Sequence, residues 1–127
     1  MLQFLRSEDI EVLALQETWL TSSHKFPESQ LEGFRELRAT RPSRKRGGAS
    51  LYISNDITIL KHGIASNDHC AAVMAKLKDY NCVVVSIYHP PEAPISSFEE
   101  ITQAIRGWLE EENCEVVILG DMNFPSL

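Results

Sequence analysis

The chain has 127 residues, of which 43% are hydrophobic and 24% are charged, so its composition predicts one packed domain and excludes a disordered chain. Its net charge of −6 excludes the uniformly basic character of a general nucleic-acid-binding protein. The three cysteines lack metal-ligand spacing, so we predict reduced thiols in an intracellular protein of the nucleus or cytoplasm. There is no long apolar run, so we predict that the protein is neither secreted nor bound to membranes.

The first third of the chain predicts the end of a helix, one buried strand and a long loop. Leu2 to Glu8 places two leucines on one face, as at the end of a helix, and begins without a capping residue. Ile10 to Gln16 contains the apolar run Val-Leu-Ala-Leu, which predicts a buried strand that ends at Glu17. Thr18 to Ser43 is rich in Ser, Pro and charged residues and therefore predicts a loop.

The middle third predicts extended segments separated by turn residues. These segments cover residues 49–53, 57–60, about 70–78 and 82–88. Gly47-Gly48 precedes the first segment, and Asn55-Asp56 separates it from the second. Asp79-Tyr80-Asn81 joins the last two segments into a hairpin, and Pro90-Pro91 ends the ladder.

The last third predicts one amphipathic helix and one more buried strand. The helix runs from Phe98 to about Glu112, and Ser97 with Glu100 forms a capping-box pattern at its start. Its apolar face consists of Phe98, Ile101, Ile105, Trp108 and Leu109. The strand covers Val116 to Leu119. Hairpins combined with strand–helix–strand units predict a layered α/β sandwich with mixed, largely antiparallel sheets.

Polar residues follow three of the predicted strands at the point where each strand ends. They are Glu17, Tyr88, and Asp121 with Asn123. A carboxylate can hold a hard cation or orient a water molecule, and a tyrosine hydroxyl or an asparagine amide can donate to a phosphate oxygen. Taken singly, each residue also has a structural explanation, because solvated turn residues and packed strand-end tyrosines are common.

A basic segment precedes the second strand. It contains Arg35, Arg38, Arg41, Arg44, Lys45 and Arg46, which are half of all the Lys and Arg residues. Arg44, Lys45 and Arg46, together with Arg41, are candidates for contacts with the DNA backbone. The alternative is a solvated loop that flanks a strand.

Four sequence blocks, in this order, carry a family resemblance. They are Leu15-Gln16-Glu17-Thr18-Trp19-Leu20, Gly47-Gly48-Ala49-Ser50-Leu51-Tyr52-Ile53, Ile87-Tyr88-His89-Pro90-Pro91 and Ile118-Leu119-Gly120-Asp121-Met122-Asn123-Phe124. Together they resemble the successive blocks of the endonuclease/exonuclease/phosphatase superfamily, and the first three look most like the apurinic-type endonucleases of non-LTR retrotransposons. The resemblance spans nearly the whole chain and implies a DNase I-like fold.

The resemblance also implies a role for each of the strand-end residues. Glu17 matches the glutamate that binds the catalytic Mg²⁺, which Mn²⁺ could replace. Tyr88 matches the tyrosine that contacts the scissile phosphate. Asp121 matches the aspartate that positions or activates the attacking water, and Asn123 matches the asparagine that helps hold the phosphate. The implied reaction is hydrolysis of a DNA phosphodiester, which leaves a nick with a 3′-hydroxyl.

The chain departs from the family pattern in three places. His89 stands where retrotransposon members often carry Arg, so it is a weaker candidate for a DNA contact. The family's first strand, which bears an asparagine near the metal, and its Ser-Asp-His block are absent from the sequence. We therefore expect residues 1–127 to form a partial domain with little or no activity of its own. A non-catalytic remnant or binding module, or a phosphatase or exonuclease of the same superfamily, is the alternative, and the sequence leaves the oligomeric state open.

Overall fold

Eight strands and one helix make up the part of the chain that the structure describes. This computed structural model describes residues 2–6, 11–17, 33–41, 48–78, 80–110 and 114–121, and the side chains of residues 2–6, 11, 17 and 121 lie outside the description. The elements are β1 (Leu2–Arg6), β2 (Glu11–Glu17), β3 (Phe34–Thr40), β4 (Gly48–Ser54), β5 (Ile59–Ser66), β6 (Ala71–Leu77), β7 (Cys82–Tyr88), α1 (Ile95–Trp108) and β8 (Glu115–Asp121).

The first sheet contains the strands from the first half of the chain. Its order is β1-β2-β4-β3, and every neighbouring pair is antiparallel. Glu17 at the end of β2 lies opposite Gly48 at the start of β4, and Gly48 lies opposite Thr40 at the end of β3. This row brings the ends of β2 and β3 to the same edge of the sheet.

The second sheet has the order β5-β6-β7-β8. Its first three strands are antiparallel, whereas β7 and β8 are parallel and are joined through α1. A parallel pair needs such a crossover connection, because the chain must return to the starting edge of the sheet. The parallel register places Tyr88 opposite Asp121, so these two strands also end side by side.

The two sheets pack face to face over an apolar core, and α1 covers the outer face of the second sheet. The core between the sheets includes Leu51 and Ile53 from the first sheet with Val73, Leu77 and Val84 from the second. A second cluster lies under α1 and includes Met74, Val83, Val85, Ile101 and Ile105. Because β7 has apolar neighbours on both faces, all seven of its residues are buried, which explains its nearly continuous apolar composition.

Two predictions for the first third of the chain are wrong. Leu2–Arg6 is a strand paired with β2 and not the end of a helix, because interstrand pairing outweighs the weak helical spacing of two leucines. The predicted loop contains β3, whose charged residues hid the strand. In β3 only the side chain of Ala39 is fully buried, as expected for a strand at the edge of the described sheet.

The helix is confirmed, but its start, its end and its cap differ from the prediction of Phe98 to about Glu112. It runs from Ile95 to Trp108, and its N-cap residue is Pro94, which makes no side-chain cap hydrogen bond. Glu100 does not close a capping box with Ser97. Its Oε1 atom instead accepts a hydrogen bond of 2.7 Å from Nδ2 of Asn67, in the turn between β5 and β6. A tertiary contact has therefore replaced the local cap.

The predicted hairpin and the buried thiols are found, whereas the last strand is less buried than predicted. β6 and β7 pair in antiparallel register, and Asn81 in the connecting turn has a φ of 47°. The cysteines carry free thiols, and only Cys114 is partly exposed. In β8, by contrast, Val116 is 39% exposed and Ile118 is 50% exposed, because α1 packs on β5 and β6 and, among the described residues, leaves the outer face of β8 accessible. No helix among the described residues is long and apolar enough to cross a membrane.

Candidate active site at the ends of three strands

A buried glutamine ties the ends of three strands together. Gln16 is 1% exposed, and its Nε2 atom donates hydrogen bonds to Oγ of Ser86, at 2.9 Å, and to the carbonyl oxygen of Leu119, at 3.4 Å. These contacts join β2 of the first sheet to β7 and β8 of the second. The three strands end within two residues of the contacts, at Glu17, Tyr88 and Asp121. Their last residues therefore lie along one edge of the sandwich.

Tyr88 occupies the centre of this edge. It is 4% exposed and lies between Ala71 of β6 and Asp121 of β8 in the strand register. The guanidinium carbon of Arg41 lies 5.4 Å from the centroid of its ring. This distance is within the range of a cation–π contact, so the arginine stacks on the tyrosine that the family resemblance assigns to the phosphate.

Arg41 reaches this edge from the first sheet. It directly follows Thr40, the last residue of β3, and Thr40 belongs to the row that contains Gly48 and Glu17. Arg41 was expected from its basic segment only as one of four candidates for contacts with the DNA backbone, without a relation to Tyr88. Its proximity to Tyr88 depends on how the two sheets pack, which no local sequence pattern reports.

Cys70 lies close to the same edge but has the properties of a structural thiol. Burial raises the pKa of Cys70 to about 11, the positive charge of Arg41 opposes this rise, and Glu100 adds to it. The thiol is therefore protonated at neutral pH, whereas nucleophilic and metal-binding cysteines act as thiolates. Cys70 is a packing residue of this region.

His89 lies in the interior and not on the surface that a DNA contact requires. It is 2% exposed, and its ring meets the ring of Phe98 edge-on, with 5.4 Å between the centroids and an interplanar angle of 67°. The structure thus shows His89 as a buried residue of the described chain, and a DNA contact by it stays a prediction. The residue follows β7 directly and packs against α1, so the connection between these elements buries it.

The other predicted site residues are only partly described. The backbones of Glu17 and Asp121 end β2 and β8, but their side chains lie outside the described residues. Asn123, Arg44, Lys45 and Arg46 lie outside them entirely. Within the described part of the chain, no three His, Cys, Asp or Glu residues come together as a metal site. The structure thus brings together three predicted strand ends and leaves their side-chain roles as proposals.

The comparisons with known proteins identify the family of this sandwich. A model of the Endonuclease/Exonuclease/phosphatase family matches residues 1–126. The chain belongs to this family. The match covers all the sequence blocks on which the resemblance was based, so the suspected family is confirmed. The search of curated proteins gives no match.

One solved structure of an endonuclease domain has a similar fold. It is the endonuclease domain of TRAS1, a telomere-specific non-LTR retrotransposon, with a TM-score of 0.53 and 19% sequence identity. The match covers 77% of this chain and 44% of that structure, so the chain spans less than half the length of its structural relative. At this identity the similarity shows the fold alone, and it confirms the predicted DNase I-like layered sandwich.

A polar cluster on the outer face of the first sheet is separate from the family's strand-end site. Glu36 accepts hydrogen bonds at Oε2 from the hydroxyls of Ser50, at 3.2 Å, and Tyr52, at 2.9 Å, and it forms an ion pair with Arg38. Burial and the neighbouring Glu36 carboxylate raise the pKa of Tyr52, so its hydroxyl remains a donor. These contacts stabilise the pairing of β3 with β4 and explain why charged residues are retained in that strand.

Proposed function

We propose that this chain is part of a Mg²⁺-dependent endonuclease domain that hydrolyses DNA phosphodiester bonds and has little or no nuclease activity by itself. The observation that supports the proposal is the hydrogen bonding of Gln16 to Ser86 and Leu119, since it brings three strand ends to one edge. Two of these ends carry a carboxylate, and the third carries the tyrosine.

The types of residue at this edge fit a divalent cation and a phosphate. Glu17 and Asp121 supply carboxylate oxygens, which are the ligands that Mg²⁺ prefers and that Mn²⁺ also accepts. In this proposal Glu17 holds the metal, which would neutralise the charge that develops on the phosphate.

The remaining residues would bind the substrate and move a proton. Asp121 orients the attacking water and accepts its proton, while Tyr88 and Asn123 donate hydrogen bonds to the phosphate. Arg44, Lys45 and Arg46 contact the DNA backbone on either side of the cut. DNA is therefore the proposed partner of the parent domain.

Low activity of this chain follows from the family residues that the sequence lacks. None of its four histidines follows a Ser-Asp pair, so a phosphate contact expected of the family has no counterpart here. Removing one preorganised donor from an active site typically lowers the rate about 10²–10³-fold. Two missing contacts would bring the rate close to background.

Nicking of supercoiled plasmid in Mg²⁺ tests this function. We expect the wild-type chain to give little nicking above a no-protein control, and Glu17→Ala and Asp121→Asn to be equally inactive. Glu110→Ala, at an exposed position in the turn after α1, is a matched control for the loss of one carboxylate. Robust nicking that the first two variants abolish and Glu110→Ala retains would disprove the inactivity and support the chemistry. Nicking that survives both site variants would disprove the assigned roles.

A further inference from the structure

The arginine on the Tyr88 ring has a position that the family resemblance does not explain. We propose that Arg41 is a further substrate-binding residue, which holds an oxygen of the DNA backbone phosphate beside Tyr88. This inference rests on the proposed function, because it assumes that a phosphodiester occupies the edge formed by the strand ends.

Arg41 lies at the edge of the sandwich where the strands end. It emerges from the end of β3 in the row that contains Glu17, and its guanidinium lies over Tyr88 of the opposite sheet. It therefore spans the two sheets at the edge where β2, β7 and β8 end. A phosphate bound beside Tyr88 would therefore lie close to this guanidinium.

The basic segment contains two other described arginines. Arg35 donates to the carbonyl oxygen of Ile57, and Arg38 pairs with Glu36 on the outer face of the first sheet. Both contacts are made away from the strand-end row. Among the described residues of this segment, Arg41 is the one whose charge lies at that row.

The planar shape of a guanidinium determines where its donors point. A guanidinium contacts an aromatic ring through its face, whereas its five N–H groups point outward in its plane. Contact through the face therefore leaves the in-plane donors of such a group directed away from the ring. This geometry suits two parallel hydrogen bonds to a phosphate, which a lysine ammonium cannot form.

Electrostatic interactions also favour a cation at this edge. Two carboxylates, those of Glu17 and Asp121, end strands at this edge, and they would repel a polyanionic substrate. The charge of Arg41 is felt inside the sandwich, because it opposes the rise in the pKa of buried Cys70. A half-buried cation at this position offsets the repulsion and attracts the phosphate.

The test is the salt dependence of DNA binding by the full chain, measured by anisotropy of a labelled short duplex without divalent metal. The logarithm of the association constant falls linearly with the logarithm of salt concentration, and the slope reports the number of phosphates contacted. For Arg41→Gln we expect the slope to decrease by about 1 and the affinity at low salt to fall about 10-fold. For Arg41→Lys we expect an unchanged slope but an affinity reduced at least about 3-fold.

Two matched controls separate this role from a general loss of charge. Arg106→Gln removes a charge from the exposed face of α1, and Lys61→Gln removes a cation that lies 4.5 Å from the Trp108 ring centroid, away from the strand ends. Both should leave the salt slope unchanged. Circular dichroism checks that each variant folds. If Arg41→Gln does not fold, Arg41→Lys provides the test, and an affinity for DNA equal to that of the wild type overturns the proposed phosphate contact of Arg41.

The outcomes separate this inference from the proposed function. If the wild-type chain binds and Arg41→Gln behaves like Arg106→Gln, the role of Arg41 is overturned while DNA remains the partner. If the wild-type chain does not bind DNA at low salt, the DNA partner is overturned, and the role of Arg41 with it. A decrease in the salt slope that occurs only in Arg41→Gln supports both the role of Arg41 and DNA as the partner.

Discussion

The carboxamide of Gln16 joins the two sheets through one side chain. Its hydrogen bond of 2.9 Å to Ser86 links residues that are 70 positions apart in the chain and buried in the sandwich. A buried donor gains a hydrogen bond in exchange for its lost contacts with water, and without the acceptor that gain disappears. The contact therefore stabilises the sandwich and sets the spacing of the strand ends.

Ser86→Ala should destabilise the protein by removing this acceptor. We expect the free energy of unfolding to fall by about 1–2 kcal/mol, measured by urea denaturation. Ser96→Ala, at an exposed position of α1, is the control and should change the free energy by less than about 0.5 kcal/mol. Equal effects of the two substitutions would show that the buried hydrogen bond has no net contribution.

Because of the buried thiols, the free energy of unfolding should decrease as the pH rises in the alkaline range. Burial raises the pKa of Cys70 from 9.0 to about 11 and also raises the pKa of Cys82. Between pH 9 and about pH 11 the unfolded chain releases thiol protons that the folded chain retains. The stability that is present below pH 9 therefore declines as the pH rises. Cys70→Ala should weaken this decline in denaturation curves measured across the window, and an unchanged decline would contradict the assignment.

At the scale of the elements, the register of β4 depends on the small size of Gly48. A Cβ atom at this position would overlap the carbonyl oxygen of Ala39 on β3. Because that atom belongs to the backbone, the neighbouring strand would have to shift. The same row contains Glu17 and precedes Arg41, so a shift there would also alter the candidate site.

Gly48→Ala should therefore lower the free energy of unfolding by about 1–3 kcal/mol. Gly107→Ala offers the opposite case, since an added Cβ at this helical position meets nothing within 4 Å. Alanine is favoured over glycine in a helix, and this variant should gain up to about 1 kcal/mol. Thermal unfolding of both variants checks the contrast, and a neutral Gly48→Ala would show that β3 adapts freely.

The elements also show how far sequence patterns reach. The hairpin of β6 and β7 and the apolar face of α1 were predictable, because each results from local periodicity and turn residues. The strand β3 was not, because the carboxylate of Glu36 accepts hydrogen bonds from Ser50 and Tyr52 of β4, a contact between strands that no local pattern contains. The capping box failed for the same reason, since Asn67 binds Glu100.

For the whole molecule, the outer face of β8 is an exposed apolar surface of the second sheet, in addition to Leu60 and Ile64 of β5. Val116 and Ile118 lie opposite Val83 and Val85 in the register, which are fully buried. α1 packs on β5 and β6, and so leaves the β8 side of this face accessible among the described residues. Adjacent exposed apolar residues on an edge strand favour association between molecules.

Ile118→Lys should therefore reduce association that depends on protein concentration. Light scattering after size-exclusion chromatography should show a smaller mean mass for this variant than for the wild type at high concentration. Ile95→Lys is the control, because Ile95 is 59% exposed on the helix and does not belong to the sheet. If both variants behave alike, or neither differs from wild type, the face of β8 is not the associating surface.

The sequence by itself determined the family, the layered fold class and the order of the strand-end residues, because ordered motif blocks and short-range periodicity are properties of the chain. Only the tertiary structure decided that β2, β7 and β8 end at one edge, that His89 is buried and that Arg41 stacks on Tyr88. Each of these depends on how one sheet lies against the other. That arrangement is set by the summed packing of residues distant in the sequence, so no local pattern encodes it.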